Sequence, residues 1–236
     1  MTWIQTATGI AFDLIDPRPE MVDFEVDIAE GLARIPRFTG HIRSGSYSVA
    51  QHCVLGADAI LRETGRIEIA AAFLLHDAHE AYVGDMATPV SHALAAYAGA
   101  CAAANTLLRF DDGFDPKKAY AEGKRCAYAG MKALKQNVDI AIHAAAGIAW
   151  PLPEEVRAAV KEMDLRMLAT ERRHLLGPSP RPWGENIESA RPVRLSGKLT
   201  VWPWPDAADA WRDRLRRYLP HLTPSGRLSR PRLPAA

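Results

Sequence analysis

Ile67-Glu68-Ile69-Ala70-Ala71-Ala72-Phe73-Leu74-Leu75-His76-Asp77-Ala78-His79-Glu80-Ala81-Tyr82-Val83-Gly84-Asp85 is the stretch on which the fold turns. From Arg66 to about Val83, apolar Ile67, Ala70, Ala71, Leu74, Leu75 and Ala78 recur at helical spacing. Gly84 ends that helix, and Pro89 prevents simple continuation. Its end is crowded with ionisable groups. Burying them costs several kcal/mol each unless they are paired or bind a cation, so a metal is the simplest explanation. His76 and Asp77 are adjacent and point about 100° apart on a helix. Both reach one ion only if it sits off the helix end. His76 and Glu80 stand four residues apart and share a face, so Glu80 approaches a water on that ion without ligating it.

Working outward, Trp3–Ala7 and Ile10–Ile15 flank Thr8-Gly9 and read as a small β-hairpin. A first helix is expected from about Asp23 to Leu32. A loop from Ile35 to Ser46 follows, carrying Arg37, Phe38 and His41. Ser46 or Ser48 caps the next helix, which runs to about Glu63 and is stopped by Gly65. Beyond Asp85, helices are expected over Ser91–Leu108, from Pro116 to about Ala146, and from Glu154 to about Leu176, with a loop at Asp111–Asp115. Together these predict an all-α orthogonal bundle with a small N-terminal hairpin. After Gly177 the composition turns Pro- and Trp-rich. Residues 1–176 therefore read as the core domain. Residues 177–236 read as an extension whose short helix, Asp206–Tyr218, packs on the core or on a partner subunit. The stretch from Pro220 reads as frayed.

Further metal ligands must come from other elements. His52 lies near the start of the preceding helix. If the two helices pack antiparallel, it faces His76 at the other's end. A carboxylate from a third helix completes the set, with Asp139 and Asp164 as candidates. Asp164 borders the apolar face of Val160, Met163 and Met167.

Composition narrows the function classes. Of 236 residues, 48% are hydrophobic and 24% charged, and the net charge is +1. A broad basic surface for a nucleic-acid polymer is not indicated. Cys53, Cys101 and Cys126 do not form a secreted disulfide framework, and Cys53 and Cys126 read as buried thiols. The start resembles no signal peptide, no stretch of about 20 uncharged apolar residues spans a membrane, and a cytoplasmic location is expected.

Arg37-Phe38-Thr39-Gly40-His41, Tyr47-Ser48-Val49-Ala50-Gln51-His52, His76-Asp77-Ala78-His79-Glu80, Gly84-Asp85-Met86-Ala87-Thr88-Pro89 and Asp164-Leu165-Arg166 occur in that order. The set resembles the HD superfamily of metal-dependent phosphohydrolases. It is most similar to the bacterial 5′-deoxyribonucleotidases and phage deoxyadenylate-nucleotide hydrolases within it. The resemblance implies an HD-domain bundle in which His52, His76, Asp77 and Asp164 ligate one divalent transition metal. Mixed N and O donors suit Mn, Fe, Co, Ni or Zn. It implies that Asp77 and Glu80 act in catalysis, Glu80 on the attacking water. It also implies that Arg37 binds the phosphate, Phe38 flanks the nucleoside and Asp85 reads the deoxyribose hydroxyl. His41 and His79 read as flanking or surface groups, His79 beside the phosphate, and Thr88 as a substrate contact or a turn residue. The substrate implied is a nucleotide, with Lys117, Lys118 or Lys124 as cations for a longer phosphate chain. A homo-oligomer is implied, for which the alanine-rich helix at 91–108 could serve. Phe38 departs from the tryptophan usual there, and the extension after Gly177 has no counterpart. The other readings are a phosphodiesterase or alarmone hydrolase of the same superfamily, and a non-catalytic regulatory HD domain.

Overall fold

The computed structural model describes residues 1–43, 45–107, 115–195 and 197–222. The N-terminal hairpin pairs β1 (Trp3–Gln5) with β2 (Ala11–Asp13), setting Ile4 opposite Phe12. Phe12 points inward and stacks on Tyr82, with ring centroids 3.7 Å apart. Asp23 then caps a wide helical turn, Phe24–Ile28, that runs into α1 (Ala29–Arg34). The helix read at 23–32 is present, with an irregular first turn.

The remaining elements are α2 (Val49–Thr64), α3 (Ile67–Leu75), α4 (Glu80–Val83), α5 (Thr88–Leu107), α6 (Pro116–Ala145), α7 (Glu154–Leu175), α8 (Glu185–Glu188) and α9 (Trp204–Tyr218). The chain is mainly helical with an N-terminal hairpin, as its periodicity indicates. Ser48 accepts the Gln51 N–H to start α2, and Gly65, at φ 70°, ends it in the left-handed region. That tight stop lets α3 return along α2. Gly56 faces the Phe73 ring so closely that a Cβ would overlap it. α3 is buried almost all round, as its unbroken apolar run requires.

Four expectations need correction. The single helix read over 66–83 is two, α3 and α4, separated by turns at 76–79. There the backbone closes short bonds, Ala78 N–H to Leu75 O and Glu80 N–H to Asp77 O, because polar side chains compete for the helix end. The helix expected from Ser91 begins at Thr88, with Pro89 in its first turn. Cys126 is exposed rather than buried, whereas Cys53 is fully buried. The stretch read as frayed from Pro220 starts with an ordered turn, Pro220–Leu222, where His221 Nε2–H donates to Ala146 O at 2.9 Å. Residues 223–236, Leu108 and most of the loop read at 111–115 lie outside the described residues.

α9 belongs to the same apolar cluster as α1, α2 and α3: Ala207, Ala208, Trp211, Leu215 and Tyr218 are buried within it. Trp211 Nε1–H donates to Leu74 O at 3.3 Å. Gln51, fully buried, fixes the segment before α9. Its Nε2–H donates to Thr200 O (2.6 Å), and its Oε1 accepts from Trp202 N–H (3.0 Å). α5 and α6 pack against each other as an antiparallel pair, with Gly123 against the backbone of Ala98 and Gly99.

Candidate metal centre

Three elements meet at one point. α2 brings His52 from its first turn, the end of α3 brings His76 and Asp77, and α7 brings Asp164. His52 Nε2 lies 3.4 Å from His76 Nε2 and 3.3 Å from Asp164 Oδ1. His76 Nε2 lies 3.8 Å from Asp164 Oδ1 and 3.2 Å from Asp77 Oδ2, and Asp77 Oδ2 is 3.8 Å from His52 Nε2. Ligand atoms about 2.1 Å from one ion sit about 3.0 Å apart at right angles and about 3.4 Å apart in a tetrahedron. These separations match that spacing. His52, His76 and Asp164 can each offer a ligand atom to one ion, and Asp77 joins both imidazoles through Oδ2.

Both imidazoles are held in the tautomer a metal needs. His52 Nδ1–H donates to Glu171 Oε1 at 2.6 Å, and His76 Nδ1–H donates to Phe73 O at 2.6 Å. Each Nε2 lone pair is thereby aimed at the shared point, by a carboxylate in one case and a backbone carbonyl in the other. The donor set and its outer support fit a divalent cation.

The electrostatics agree. Burial disfavours the imidazolium of His76, but Asp77 and Asp164 outweigh it and hold its pKa well above the ordinary value. His52 is raised too: burial and Arg37 oppose the charge, and Glu171 and Asp164 restore it. Burial works against the charged forms of Asp77 and Asp164. The two imidazoles nevertheless hold both carboxyls below the usual carboxylate range. A cation at the centre would replace the protons in that role. Asp164 is the open side, with 40% of its side chain exposed.

Arg37 reaches the centre from the Arg37–Gly40 turn. Phe38 and Thr39 there adopt φ 56° and 54°, costly for residues with a Cβ. The Arg37 Nε–H donates to Glu171 Oε2 (3.2 Å) and its Nη1–H to Asp77 Oδ2 (3.3 Å). Neither ion pair uses Nη2. Phe38 packs on the small cluster of Tyr47, Leu175 and Leu199. Glu80 is buried beside Asp77, and its carboxyl is pushed up to about 9 by burial, Asp77 and Asp85. Asp85 is half-buried and raised for the same reasons, with Arg37 and Lys135 opposing. Lys135, on α6, is a lysine whose charge reaches both Glu80 and Asp85; Lys117, Lys118 and Lys124 are not among the largest charges acting on either carboxyl.

Of the remaining expected residues, His79 is buried near Asp77 and Glu80, with Nδ1–H donating to Asp139 Oδ1 at 2.9 Å. Asp139, the alternative third-helix ligand, is thus engaged away from His52 and His76. His41 is exposed and joins none of these contacts, and Thr88 is exposed at the start of α5. His76 and Glu80 do not share one helix face as expected, because the helix breaks between them. Their proximity to Asp77 comes from the turns instead. Cys53 lies behind His76, its thiol raised to about 11 by burial, and stays protonated at neutral pH. A separate groove of about 820 Å³, lined in part by Arg34, Arg43, Trp202 and Trp204, contains none of the expected site residues.

Sequence reasoning missed Glu171. It is fully buried and serves three partners at once: Arg37, the Tyr47 hydroxyl (2.8 Å) and His52. The signal was available, since Glu171 stands seven residues after Asp164, two helical turns along the same face.

The chain is 32% identical to YfdR of Escherichia coli over 177 residues, 74% of this chain and 73% of that protein. It is 28% identical to a Rhodobacter capsulatus protein over 213 residues, 89% of this chain and 91% of that one. Both relatives are described as uncharacterised. No family model matches the chain.

Proposed function

The chain belongs to the family of Escherichia coli YfdR, and we propose that this member is a metal-dependent phosphohydrolase of the HD type that removes the 5′-phosphate or phosphates of (deoxy)nucleotides. One observation carries the reading: His52, His76, Asp77 and Asp164, remote in sequence, converge at cation spacing with both imidazoles pre-oriented. The chemistry supplied by one divalent cation there, of the Mn, Fe, Co, Ni or Zn kind, is polarisation of a phosphoryl oxygen and acidification of a water.

The chain's own residues do the rest. The Nη2 of Arg37, used by neither ion pair, offers donors to a phosphoryl oxygen, while Glu171 and Asp77 fix the guanidinium plane. Glu80 holds or accepts the water's proton, as its raised pKa and its place beside Asp77 allow. Asp85 and Phe38 face the sugar and base. Assembly into a homo-oligomer belongs to the same reading, and light scattering measures it directly.

Phosphate release from a panel of deoxy- and ribonucleoside mono-, di- and triphosphates, with Mn, Co or Zn added, tests the proposal. Turnover is expected with at least one, and His76→Ala should abolish it while leaving the helical circular dichroism intact. No release from any of them with metal bound would move the assignment to a regulatory HD domain. A phosphodiesterase or alarmone hydrolase is favoured by one observation, a further candidate ligand group of Asp77, His79 and Glu80.

A further inference from the structure

The net charge of +1 is an average over the whole chain, and the fold does not spread its charges evenly. The groove of about 820 Å³ gathers basic side chains from four separate segments: Arg34 at the end of α1, Arg43 after the Arg37–Gly40 turn, His174 at the end of α7 and Lys198 before α9. Among the described residues, no acidic side chain lines it. Arg34 is offset by Glu30 at 2.7 Å. Arg43 and Lys198 are exposed and have no ion pair among the described residues.

Two tryptophans complete the groove. Arg34 takes one face of the Trp204 ring, its guanidinium carbon 3.8 Å from the centroid, yet 43% of Trp204 stays exposed. Trp202 is half-buried, and its backbone N–H is held by Gln51 Oε1 at 3.0 Å, as the Thr200 carbonyl is held by Gln51 Nε2 at 2.6 Å. The aromatic wall is thus fixed before any ligand arrives, which lowers the cost of binding. The positive charge also runs on past the groove. Arg43 lines a second, smaller groove of about 310 Å³ at the end of α7, together with Arg172 and Arg173, where Glu188 pairs with Arg172 at 2.6 Å.

We propose that this track binds a single strand of nucleic acid, with phosphates on Arg43 and Lys198 and bases stacked on Trp202 and Trp204. Cations that follow a sugar–phosphate backbone, beside rings on which bases stack, are how proteins hold single strands without reading their sequence. A duplex gains little there, because its base faces are already buried in their own stack. Stacking and phosphate contact read neither base nor sugar, so DNA and RNA bind alike. The groove contains none of the proposed metal ligands, so the inference stands apart from the reading of that centre.

Fluorescence anisotropy of a labelled oligothymidylate of about 12 nucleotides tests this, a length within the roughly 4–16 that one single-strand-binding module covers. Binding should quench tryptophan emission. Log affinity should fall with log salt at a slope of about −2, from Arg34, Arg43 and Lys198 at about −0.7 each. The double variant Arg43→Ala, Lys198→Ala should flatten that slope to about −0.7. Trp204→Ala should weaken binding about 5–150-fold, the range for one lost stacking partner. All three side chains are exposed, and far-UV circular dichroism checks that the variants fold. An oligouridylate should bind within about threefold of the oligothymidylate. His76→Ala should bind as wild type; binding lost there would place the strand in the metal centre and overturn the proposal. Inorganic polyphosphate or duplex DNA binding as tightly as the oligonucleotide, with Trp204→Ala unchanged, would reduce the groove to a patch of cations and overturn it. Thymidine monophosphate binding as tightly as the oligomer would make it a small-molecule pocket instead. No binding at low salt would overturn it outright.

Discussion

Glu171 governs the residues around it because it is charged, fully buried and shared. It orients His52, anchors Arg37 and accepts from Tyr47, and those three partners in turn keep it ionised despite burial. Glu171→Gln keeps the shape and removes the charge. Metal affinity should fall about 10–100-fold, as it does when an outer-shell partner of a ligating histidine is lost. Competition against a chromophoric chelator reads this, and an unchanged affinity would mean that the His52 orientation does not depend on the carboxylate. The raised imidazoles make a pH prediction whose sign is fixed. In the metal-free fold, His52 and His76 have pKa values above the ordinary value of about 6.5. Their contribution to stability is complete below that value and is lost as pH rises through the raised values. A cation must displace the same protons, so its affinity should rise with pH across that window. The gain is about tenfold per pH unit for each imidazole still protonated. Flat affinity between pH 6 and 8, measured in the same competition assay, would contradict the assignment of both histidines as ligands.

At the scale of elements, the α2–α3 pair sets the distance between the two imidazoles. Phe73 lies between them and Gly56, with its ring 4.3 Å from that of His76 and 5.6 Å from that of His52, centroid to centroid. A methyl group at 56 would overlap that ring. Gly56→Ala should therefore cost about 1–3 kcal/mol by overpacking. Thermal melting should move down by about 2–4 °C per kcal/mol. Because the displaced ring sits against the ligands, metal affinity should drop as well. A variant that melts as wild type would show that α3 can shift freely on α2. This packing was only partly legible in the sequence. Periodicity and caps located most helices, because Ser48, Gly65 and Pro116 act locally and need no tertiary partner. The break at 76–79 was invisible to periodicity. Ala78 and Tyr82 continue an apolar pattern there, while the helix end turns where the His76 Nδ1–H takes the Phe73 carbonyl. Asp164 borders an apolar face, and the resemblance is what set it ahead of Asp139. What settles Asp139 is its bond to His79, a contact between α6 and the turn after α3 that no local rule encodes.

For the whole molecule, the decisive question is whether the segment after Gly177 is an addition or part of the core. Its proline-rich composition marked it as separate, yet Trp211 is fully buried and shares one cluster with α1, α2 and α3. Its indole N–H is bound to the Leu74 carbonyl, two residues before His76, so α9 braces the helix end that carries His76 and Asp77. Trp211→Ala should cost about 3–5 kcal/mol, as for a fully buried large side chain. One cooperative transition, at lower denaturant, is expected by far-UV circular dichroism. Separate transitions, or a midpoint equal to wild type, would show α9 to be an appendage. Saturating metal distinguishes bracing from mere bulk stability. A ligand that binds only the folded state stabilises it by an amount set by its concentration relative to the dissociation constant. If α9 braces the site, the metal-induced rise in melting temperature should be smaller in Trp211→Ala than in wild type. If α9 contributes only buried area, the two rises will match, because the ligands keep their places whenever the variant is folded.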